Sequence, residues 1–296
     1  MARRNIAILY IIASAFCFAL MNLFVRLSGD VPTIEKTFFR NFVALLVAFG
    51  MIQKQHLSLA VPKKAWSGLF IRSAFGTVGI WCNFYAIGRL ELADASILNK
   101  LSPFFVLLFS VLILKEKLTL PQAGFVGMAF VGALFIVKPG FAFLASGTDS
   151  FAACMGAFGG LCAGLAYTYV RKLGELGVAG PLVVFYFSTF SCLAAVPYCV
   201  LYGVWPQMEQ LIFLLCAGLA ASGGQFFITA AYMHAPAREI SIYDYTQIIF
   251  ATLLGFVILG EVPDVYSWIG YVIIIGASFL LFLYNNNLLG RKPGSV

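Results

Sequence analysis

Long uncharged apolar runs alternate with short polar or charged segments along the whole chain. Prolines, glycines and charge clusters divide these runs into ten candidate helices, at 5–27, 35–53, 66–88, 92–114, 119–138, 151–171, 181–203, 209–233, 239–260 and 265–285. An α-helix needs about 20 apolar residues to cross the hydrocarbon core of a bilayer, and each run approaches that length. The pattern therefore predicts an all-α integral membrane protein with ten transmembrane helices, here called the first to tenth spans.

The second half of the chain is a weak copy of the first, displaced by 145 residues. The matching positions are Cys17/Cys162, Leu20/Leu165, Val25/Val170, Arg26/Arg171, Ser96/Ser241, Ile97/Ile242 and Glu116/Glu261. Each copy holds five spans, an odd number, so the second copy enters the membrane upside down. We expect two inverted five-helix repeats over residues 1–139 and 150–285, followed by a tail at 286–296. Such repeats are typical of secondary transporters, which hold substrate between the repeats near the bilayer midplane.

Composition supports a lipid environment and gives no indication of a metal or cofactor. The chain is 61% hydrophobic and 10% charged, whereas soluble domains average about 25% charged residues. The first span lacks a small-residue cleavage site, so we interpret it as a retained helix and not a signal peptide. All seven cysteines lie in apolar runs without CxxC spacing, and His56 and His234 lie in a loop and at a span end. The sequence predicts no metal ligands, cofactor or catalytic residues.

The basic residues orient the chain in the membrane. The net charge of +7 arises from residues that sit mostly in pairs between apolar runs, and without a continuous basic face nucleic-acid binding is not expected. Twelve basic residues fall in the segments on the side of the two termini, and four fall on the other side. Cytoplasmic loops carry such an excess. We therefore expect both termini in the cytoplasm and a multi-pass protein of the cell (inner) membrane.

Four charged residues interrupt predicted spans, where charge is costly and usually faces a polar cavity or a partner. They are Arg40, Arg72, Lys100 and Asp244. Counted from the span ends, Arg72 and Asp244 lie at similar depth, so they are expected to pair or to serve structurally. Lys100 and Arg40 share the outer half without an intramembrane acid. We therefore predict that Lys100 and Arg40 hold an anionic substrate group, and that Asp244 binds a proton or the amino end of a zwitterion.

Polar residues in the fourth and ninth spans occupy equivalent places in the two repeats. Asn99 and Lys100 lie in the fourth span beside Pro103, and Tyr243, Asp244 and Gln247 lie in the ninth. This coincidence favours a central site. Further candidate substrate-binding residues are Trp81, Asn83, Tyr167, Tyr186 and Gln225. Candidate structural or gating residues are Arg72, Pro103, Glu116 and Glu261, and Gly156, Gly160 and Gly164 form a candidate close-packing ridge.

Residues 85–124 resemble the fourth and fifth helices of an EamA-type transporter of the drug/metabolite transporter superfamily. The resemblance lies in small residues before Pro103, a long apolar run, and Glu116 followed by Gly124; Phe39-Arg40 with Ala44, and Glu261 with Gly270, add to it. It implies ten helices in two inverted repeats. It also implies a central cavity lined by helices 1–4 and 6–9, and solute movement by alternating access, often efflux.

The leading hypothesis is a secondary transporter, not an enzyme, that exports a small anionic or zwitterionic metabolite such as an amino acid or organic acid. One alternative is a nucleotide-like or S-adenosylmethionine-like substrate stacked on aromatic rings. An intramembrane enzyme using Ser96 or Ser102 near Lys100, or a channel, is a weaker alternative. There is no Walker-type phosphate loop, so ATP does not drive transport directly. The expected partners are the substrate and the lipid bilayer, with proton coupling and a homodimer left open.

Overall fold

The computed structural model describes residues 2–113, 119–137, 150–234 and 241–285, and these contain eleven α-helices and no β-strand. The helices are α1 (Ala2–Leu27), α2 (Thr33–Lys54), α3 (Trp66–Ile87), α4 (Leu92–Asn99), α5 (Ser102–Ile113), α6 (Leu120–Val137), α7 (Ser150–Glu175), α8 (Gly180–Tyr202), α9 (Met208–His234), α10 (Thr246–Leu254) and α11 (Val265–Asn285). Short 3₁₀ turns lie at Lys63–Ala65 and Ser241–Tyr245, and a π-turn lies at Gly255–Leu259. The all-α prediction is confirmed.

The helices have the length and surface of membrane spans. Six described segments are long and apolar enough to cross a bilayer: Asn5–Leu27, Leu92–Ile113, Ser150–Glu175, Gly180–Tyr202, Met208–Ala231 and Val265–Tyr284. Two shorter apolar stretches are Leu120–Phe135 and Tyr243–Leu259. Large apolar side chains such as Val200, Val257 and Val272 are exposed on the outside of the bundle. A surface this apolar is stable only against lipid, so the chain is a multi-pass membrane protein.

Two long antiparallel interfaces join the first half of the chain to the second. α1 packs along α9, where the Ser14 hydroxyl donates a 2.8 Å hydrogen bond to the Gly224 carbonyl. α3 packs along α7, where a Cβ on Gly79 would lie 3.3 Å from the Gly159 carbonyl oxygen. Gly79 and Gly224 are related by the 145-residue displacement, and so are Ser14 and Gly159. The α1–α9 and α3–α7 interfaces are therefore equivalent under the internal repeat.

The same contacts show that the two halves run in opposite directions. Arg26, at the end of α1, donates from Nη1 to the carbonyls of Ile87 and Leu90 at the end of α3, at 2.5 and 3.2 Å. α1 and α3 therefore run parallel. Because α7 is antiparallel to α3, it is also antiparallel to α1.

Contacts between helix ends define two faces of the bundle. The end of α2, the start of α3, the end of α7 and the start of α8 meet in a cluster that contains Ile52, Leu69, Leu173 and Val183. This is the N-terminal face, where α1 begins. At the far face, the end of α8 meets the start of α2 through a 2.8 Å hydrogen bond from the Val204 N–H to Glu35 Oε1.

The fourth and ninth spans are both interrupted, at equivalent positions. α4 ends at Asn99 and α5 begins at Ser102, whereas a continuous helix over 92–114 was expected. In the second half, the 3₁₀ turn Ser241–Tyr245 precedes α10. The displacement of 145 residues matches Lys100 to Tyr245, and the Tyr245 hydroxyl donates to the Lys100 carbonyl at 2.8 Å. The two breaks therefore touch at the junction between the repeats.

Pro103 explains part of the break in the fourth span. It is the second residue of α5 and not an interior residue of one long helix. Its missing N–H falls in the first turn, where no intrahelical acceptor is available in any case. The expectation that Pro103 lies inside one continuous helix is therefore wrong, and its structural or gating role stays a prediction.

The glycine ridge of α7, formed by Gly156, Gly160 and Gly164, packs against this break. A Cβ on Gly160 would lie 2.8 Å from the Leu98 carbonyl oxygen, and one on Gly164 would lie 2.9 Å from the Ser102 carbonyl oxygen. A Cβ on Gly156 would lie 3.4 Å from the Leu98 side chain. The predicted close-packing ridge is confirmed, and its partner is the junction of α4 and α5.

Candidate substrate cavity

A cavity lies between the two halves of the chain, beside the broken spans. Seven residues predicted to bind substrate line it: Arg40, Asn83, Asn99, Lys100, Tyr167, Gln225 and Gln247. Their role in binding stays a prediction.

The other four predicted substrate-binding residues do not line the cavity, and one of them, Asp244, pairs with Lys100. Tyr243 packs its ring against Phe282 at 6.3 Å between centroids. The Tyr186 hydroxyl donates to the Leu59 carbonyl at 2.6 Å, near the N-terminal face. Trp81 is half-buried beside the cavity but does not line it.

Helix geometry explains these corrections, because successive residues of an α-helix point about 100° apart. Phe187, the residue after Tyr186, faces the cavity in its place, and Asn83 faces it where Trp81 does not. On α3 the sequence analysis named one residue that faces the cavity, Asn83, and one that does not, Trp81, and on α8 it named Tyr186 where Phe187 faces the cavity.

Two buried arginines form the most distinctive part of the cavity wall. Arg40 on α2 is 2% exposed and Arg72 on α3 is 3% exposed. Both guanidinium groups lie by the ring of Phe187 on α8, with their Cζ atoms 5.8 Å and 4.0 Å from its centroid. The aromatic face attracts both cations and holds them side by side. Phe187 was not among the predicted site residues.

Neither arginine has a carboxylate partner among the described residues. Arg40 donates from Nη1 to Asn41 Oδ1, and Asn41 is fixed by a 2.7 Å hydrogen bond to Ser191. The Nε atoms of Arg40 and Arg72 have no hydrogen-bond partner within the described ranges. An unpaired buried cation is expensive. The arrangement therefore has the chemistry of an anion-binding site.

Gly76 creates the space in which the Arg72 guanidinium lies. It follows Arg72 by one helical turn, and any Cβ there would collide with Arg72 Nη1 and lie 2.9 Å from Phe187 Cε2. Arg72 was expected to pair with Asp244 or to serve a structural or gating role. The pairing is wrong, because Asp244 pairs with Lys100, and Arg72 lines the cavity. The glycine four residues after an intramembrane arginine was the available sequence signal.

Asp244 is paired with Lys100. The Lys100 ammonium lies 2.6 Å from Asp244 Oδ2, and the two side chains are 6% and 5% exposed. The expectation that Lys100 lacks an intramembrane acid is therefore wrong. The expectation assumed that both residues lie in regular α-helices, which rise 1.5 Å per residue. Lys100 lies at a helix break instead, and Asp244 lies in a 3₁₀ turn, which rises about 2.0 Å per residue.

Several oxygen atoms near the broken spans lack hydrogen-bond donors. Asp244 Oδ1, Asn22 Oδ1 and Asn83 Oδ1 are buried and unpaired within the part of the chain that the structure describes. Asn22 Nδ2 donates to Ser96 Oγ at 3.2 Å. The cavity thus offers unsatisfied acceptors as well as unsatisfied donors.

A smaller crevice continues the cavity toward the N-terminal face. It shares Arg72, Tyr167 and Gln225 with the cavity and is otherwise lined mainly by apolar residues such as Val183. Val183 belongs to the cluster that marks the N-terminal face. Arg72 therefore lies where the cavity and the crevice meet.

At the far face, Glu261 joins the end of α1 to the start of α4. Its Oε1 accepts from Arg26 Nη2 at 3.1 Å, and its Oε2 accepts from the Leu92 N–H, at the start of α4, at 2.7 Å. Glu261 follows Gly260, whose φ of +69° ends the π-turn in the left-handed conformation that glycine tolerates. This geometry fits the predicted structural role of Glu261. Its counterpart Glu116 lies outside the described residues.

The described residues contain no group of three His, Cys, Asp or Glu side chains that could hold a metal ion. The Lys100 ammonium donates to Asp244, and Ser96 Oγ accepts from Asn22. These contacts differ from the Ser/Lys pair on which the intramembrane-enzyme alternative depends.

Comparison with known proteins identifies the family. The sequence model of the EamA-like transporter family matches residues 5–138 and again residues 150–283. The two matches cover the two halves related by the internal repeat.

Several characterised relatives are transporters by name. The chain is 32% identical to the pseudopaline exporter CntI of Pseudomonas aeruginosa, over 93% of this chain and 95% of that protein. It is 28% identical to solute carrier family 35 member G1 of Mus musculus, over 88% of this chain and 73% of that protein. It is 22% identical to the riboflavin transporter of Rhizobium johnstonii, over 99% and 95%.

The fold is also found among solved structures. One crystal structure matches with a TM-score of 0.70 at 19% identity, over 97% of this chain and 100% of that one. A match at this identity supports the fold alone.

Proposed function

The chain belongs to the EamA-like transporter family, and on that premise we propose that it is a secondary transporter that exports a small metabolite with at least one carboxylate. The observation that carries this proposal is the pair of buried guanidinium groups of Arg40 and Arg72, neither of which has a carboxylate partner among the described residues. A guanidinium binds a carboxylate through two parallel hydrogen bonds. Two neighbouring guanidinium groups suit an organic acid or an amino acid.

The charge of the cavity supports an anionic ligand. Its wall and the residue directly behind it carry three cations, Arg40, Arg72 and Lys100, and one anion, Asp244. The formal sum is +2. Charge in a low-dielectric site is stable only when it is compensated, and a bound acid supplies that compensation. A neutral solute does not.

Loop charges support a cytoplasmic position for the N-terminal face. Basic residues at that face include Lys54, Lys63, Lys64, Arg171 and Lys172, whereas Arg26, Lys36 and Arg89 lie at the far face. Cytoplasmic loops carry the excess of basic residues. The crevice then connects the arginines to the cytoplasmic side, while Glu261 closes the opposite side. This arrangement suits a transporter loaded from the cytoplasm.

Ten spans and a cell-membrane location are part of the same proposal. α2 and α3 have 22 residues each, enough to cross, and the buried Arg40 and Arg72 face inward between them. With the six long apolar segments and the two shorter ones, they give ten crossings. The similarity to a named exporter supports the outward direction.

Alternating access fits the way the two repeats meet. The glycine-rich contacts of α7 with α3 and with the α4–α5 junction are smooth surfaces on which helices can shift. A relative rotation of the repeats would open the Glu261 contacts at the far face and close the crevice at the N-terminal face. The substrate site between the repeats would then change sides.

Ligand-induced stabilisation tests the proposal. Purified protein is heated with succinate, citrate, glutamate, histidine, S-adenosylmethionine, adenosine or riboflavin at two pH values. A ligand at one hundred times its Kd stabilises by about 2.7 kcal/mol. We expect stabilisation by one or more of the carboxylates in the wild type and in Arg89→Gln, an exposed-arginine control. Arg40→Gln and Arg72→Gln should lose it.

Two results would overturn the proposal. One is stabilisation by adenosine or riboflavin alone, which would favour the nucleotide-like alternative. The other is a carboxylate effect that survives in both arginine variants, which would place the anion site elsewhere in the protein.

A further inference from the structure

We propose that the outer side of the contact between α3 and α8 binds one anionic phospholipid from the leaflet at the N-terminal face. Four aromatic residues form this surface, here called the α3–α8 seam: Trp66, Phe70, Tyr186 and Phe190. An acyl chain of the lipid lies on these rings, and the headgroup phosphate lies at Lys63 and Lys64. The site is outside the cavity, and its existence does not depend on the proposed transport function.

The rings of the seam form two pairs, one helical turn apart. Trp66 contacts Tyr186 edge to face, with 5.3 Å between the ring centroids, and Phe70 contacts Phe190 in the same way at 5.6 Å. Residues four apart lie on one face of a helix. Because α3 and α8 both begin at the N-terminal face, the second pair lies deeper in the bilayer than the first. Trp66 is 50% exposed and Phe70 is 62% exposed, so the α3 side of the seam faces the lipid.

Lys63 lies at the N-terminal end of this row of rings. The 3₁₀ turn that contains Lys63 leads directly into α3 at Trp66. Residues three apart in a 3₁₀ turn are eclipsed, so Lys63 lies on the same side of the chain as Trp66, and Phe70 follows one α-helical turn later. The Tyr186 hydroxyl donates to the Leu59 carbonyl, which fastens the loop before Lys63 to α8. Tryptophan and tyrosine favour the membrane–water interface, so the lysine lies at the depth of the headgroups.

The charge at this end of the seam is entirely basic. Lys63 and Lys64 are exposed, residues 53–90 contain no Asp or Glu, and residues 180–202 contain no charged residue. Basic residues beside the cytoplasmic leaflet attract its anionic lipids, and the N-terminal face is the one with the excess of basic loops. A zwitterionic headgroup gains less, because its own ammonium group is repelled by the two lysines.

The seam and the lysines together match a phospholipid better than either of its parts. A free phosphate would contact the lysines and leave the exposed rings uncovered. An apolar partner helix would cover the rings and leave the two cations without a counter-charge. An anionic phospholipid carries both the phosphate and the acyl chain, in the same order along the membrane normal.

The inner side of the same helix contact forms part of the cavity wall. Phe187 follows Tyr186 in α8, and its ring centroid lies 4.0 Å from the Cζ atom of Arg72 on α3. A lipid that bridges α3 and α8 from outside therefore supports the contact that holds Arg72 against Phe187.

Tryptophan fluorescence identifies the lipid beside Trp66. Full-length protein in which Trp81, Trp205 and Trp268 are replaced by Phe keeps Trp66 as its only tryptophan. This parent protein is reconstituted in dioleoylphosphatidylcholine vesicles that contain increasing fractions of brominated phosphatidylglycerol or of brominated phosphatidylcholine. Bromine on an acyl chain quenches an indole ring at contact. We expect half-maximal quenching at a fraction of phosphatidylglycerol that is at least about fivefold lower than that of phosphatidylcholine.

Two double variants of the parent protein then locate the headgroup. Lys63→Gln/Lys64→Gln should make the two brominated lipids equally effective. Arg3→Gln/Arg4→Gln removes the same charge from the first turn of α1, which is not part of the seam, and should keep the preference for phosphatidylglycerol. Brominated phosphatidylcholine should quench both variants as it quenches the parent, which verifies that Trp66 still faces the lipid.

Three results would overturn the inference. The first is equal quenching of the parent by the two brominated lipids. The second is a preference for phosphatidylglycerol that survives in the double lysine variant. The third is an equal loss of the preference in both double variants, which would show a response to the overall surface charge and not to the seam. None of these measurements uses a transport substrate, so each of them leaves the proposed function unaffected.

Discussion

Lys100 and Asp244 form a 2.6 Å ion pair between the two repeats, at the point where the fourth and ninth spans are both interrupted. The pair fixes the relative position of the two breaks, and the hydrogen bond from Tyr245 to the Lys100 carbonyl adds to it. Lys100 therefore holds Asp244 in place beside the cavity, whereas Arg40 and Arg72 are the cations that remain open to a ligand.

Breaking this pair on one side should be more damaging than removing both members. Lys100→Met leaves the Asp244 carboxylate buried and unpaired, which we expect to destabilise the fold by about 3–5 kcal/mol. The double variant Lys100→Met/Asp244→Leu should recover most of that loss. Reversible unfolding in mixed detergent measures the free energies of the wild type, Lys100→Met, Asp244→Leu and the double variant. Lys64→Met, at an exposed position, serves as the control, and a double variant as unstable as the sum of the singles would contradict the pairing.

Glu261 should contribute to stability more than an ordinary surface carboxylate. Glu261→Ala removes the contact with Arg26 and the hydrogen bond from the Leu92 N–H. We expect a loss of about 1–3 kcal/mol in the free energy of unfolding. Glu175→Ala removes only an exposed pairing with Arg171 at 3.6 Å and should cost less than about 1 kcal/mol. Equal losses in the two variants would show that Glu261 does not join the helix ends at the far face.

The glycine ridge predicts opposite effects of one substitution at two sites. Gly164→Ala would place a Cβ 2.9 Å from the Ser102 carbonyl oxygen, and such overpacking costs about 1–3 kcal/mol. Gly50→Ala meets no atom within 4 Å and should stabilise α2 by about 0.5–1 kcal/mol. Thermal unfolding of the detergent-solubilised protein compares the two. A neutral Gly164→Ala would mean that α7 and the α4–α5 junction are not closely packed.

Gly76→Ala should weaken anion binding without removing any charge. The added methyl group displaces the Arg72 guanidinium from the Phe187 ring, and losing that placement should reduce affinity about tenfold. Titration with whichever carboxylate stabilises the wild type gives the affinity. Gly127→Ala on α6 has open space around it and should bind as the wild type does. Unchanged affinity in Gly76→Ala would mean that the position of Arg72 is irrelevant to the ligand.

The helical architecture was predictable because lipid imposes it locally. In the bilayer core the backbone N–H and C=O groups of a helix must form their hydrogen bonds within that helix. An apolar run of sufficient length therefore predicts a helix. The repeat was visible through identities such as Arg26/Arg171 at a constant displacement. The helices depend on residues near one another in sequence, and the repeat depends only on residue identities at a constant displacement.

The site was only partly predictable because its pairing is tertiary. The contact of Lys100 with Asp244 joins residues 144 positions apart, across two helix breaks that shift both side chains from the depths expected for regular helices. The 145-residue displacement matches Asn99 with Asp244 and Lys100 with Tyr245. This match shows that the positions are equivalent in the two repeats, but it does not show that their side chains are close in space. Phe187 was missed because its neighbour Tyr186 has the more polar side chain.

Arg72→Gln provides the most direct test of the anion site. If Arg72 binds an anionic ligand, the substitution should raise the free energy of unfolding measured without ligand; if Arg72 is a structural cation, the substitution should lower it. Unfolding is measured without ligand and with the carboxylate that stabilises the wild type most, using Arg89→Gln as the control. We predict that Arg72→Gln is more stable than the wild type without ligand, by about 1–3 kcal/mol, and gains no stability from the ligand. A less stable empty variant that the carboxylate still stabilises as much as the wild type would contradict the proposed site.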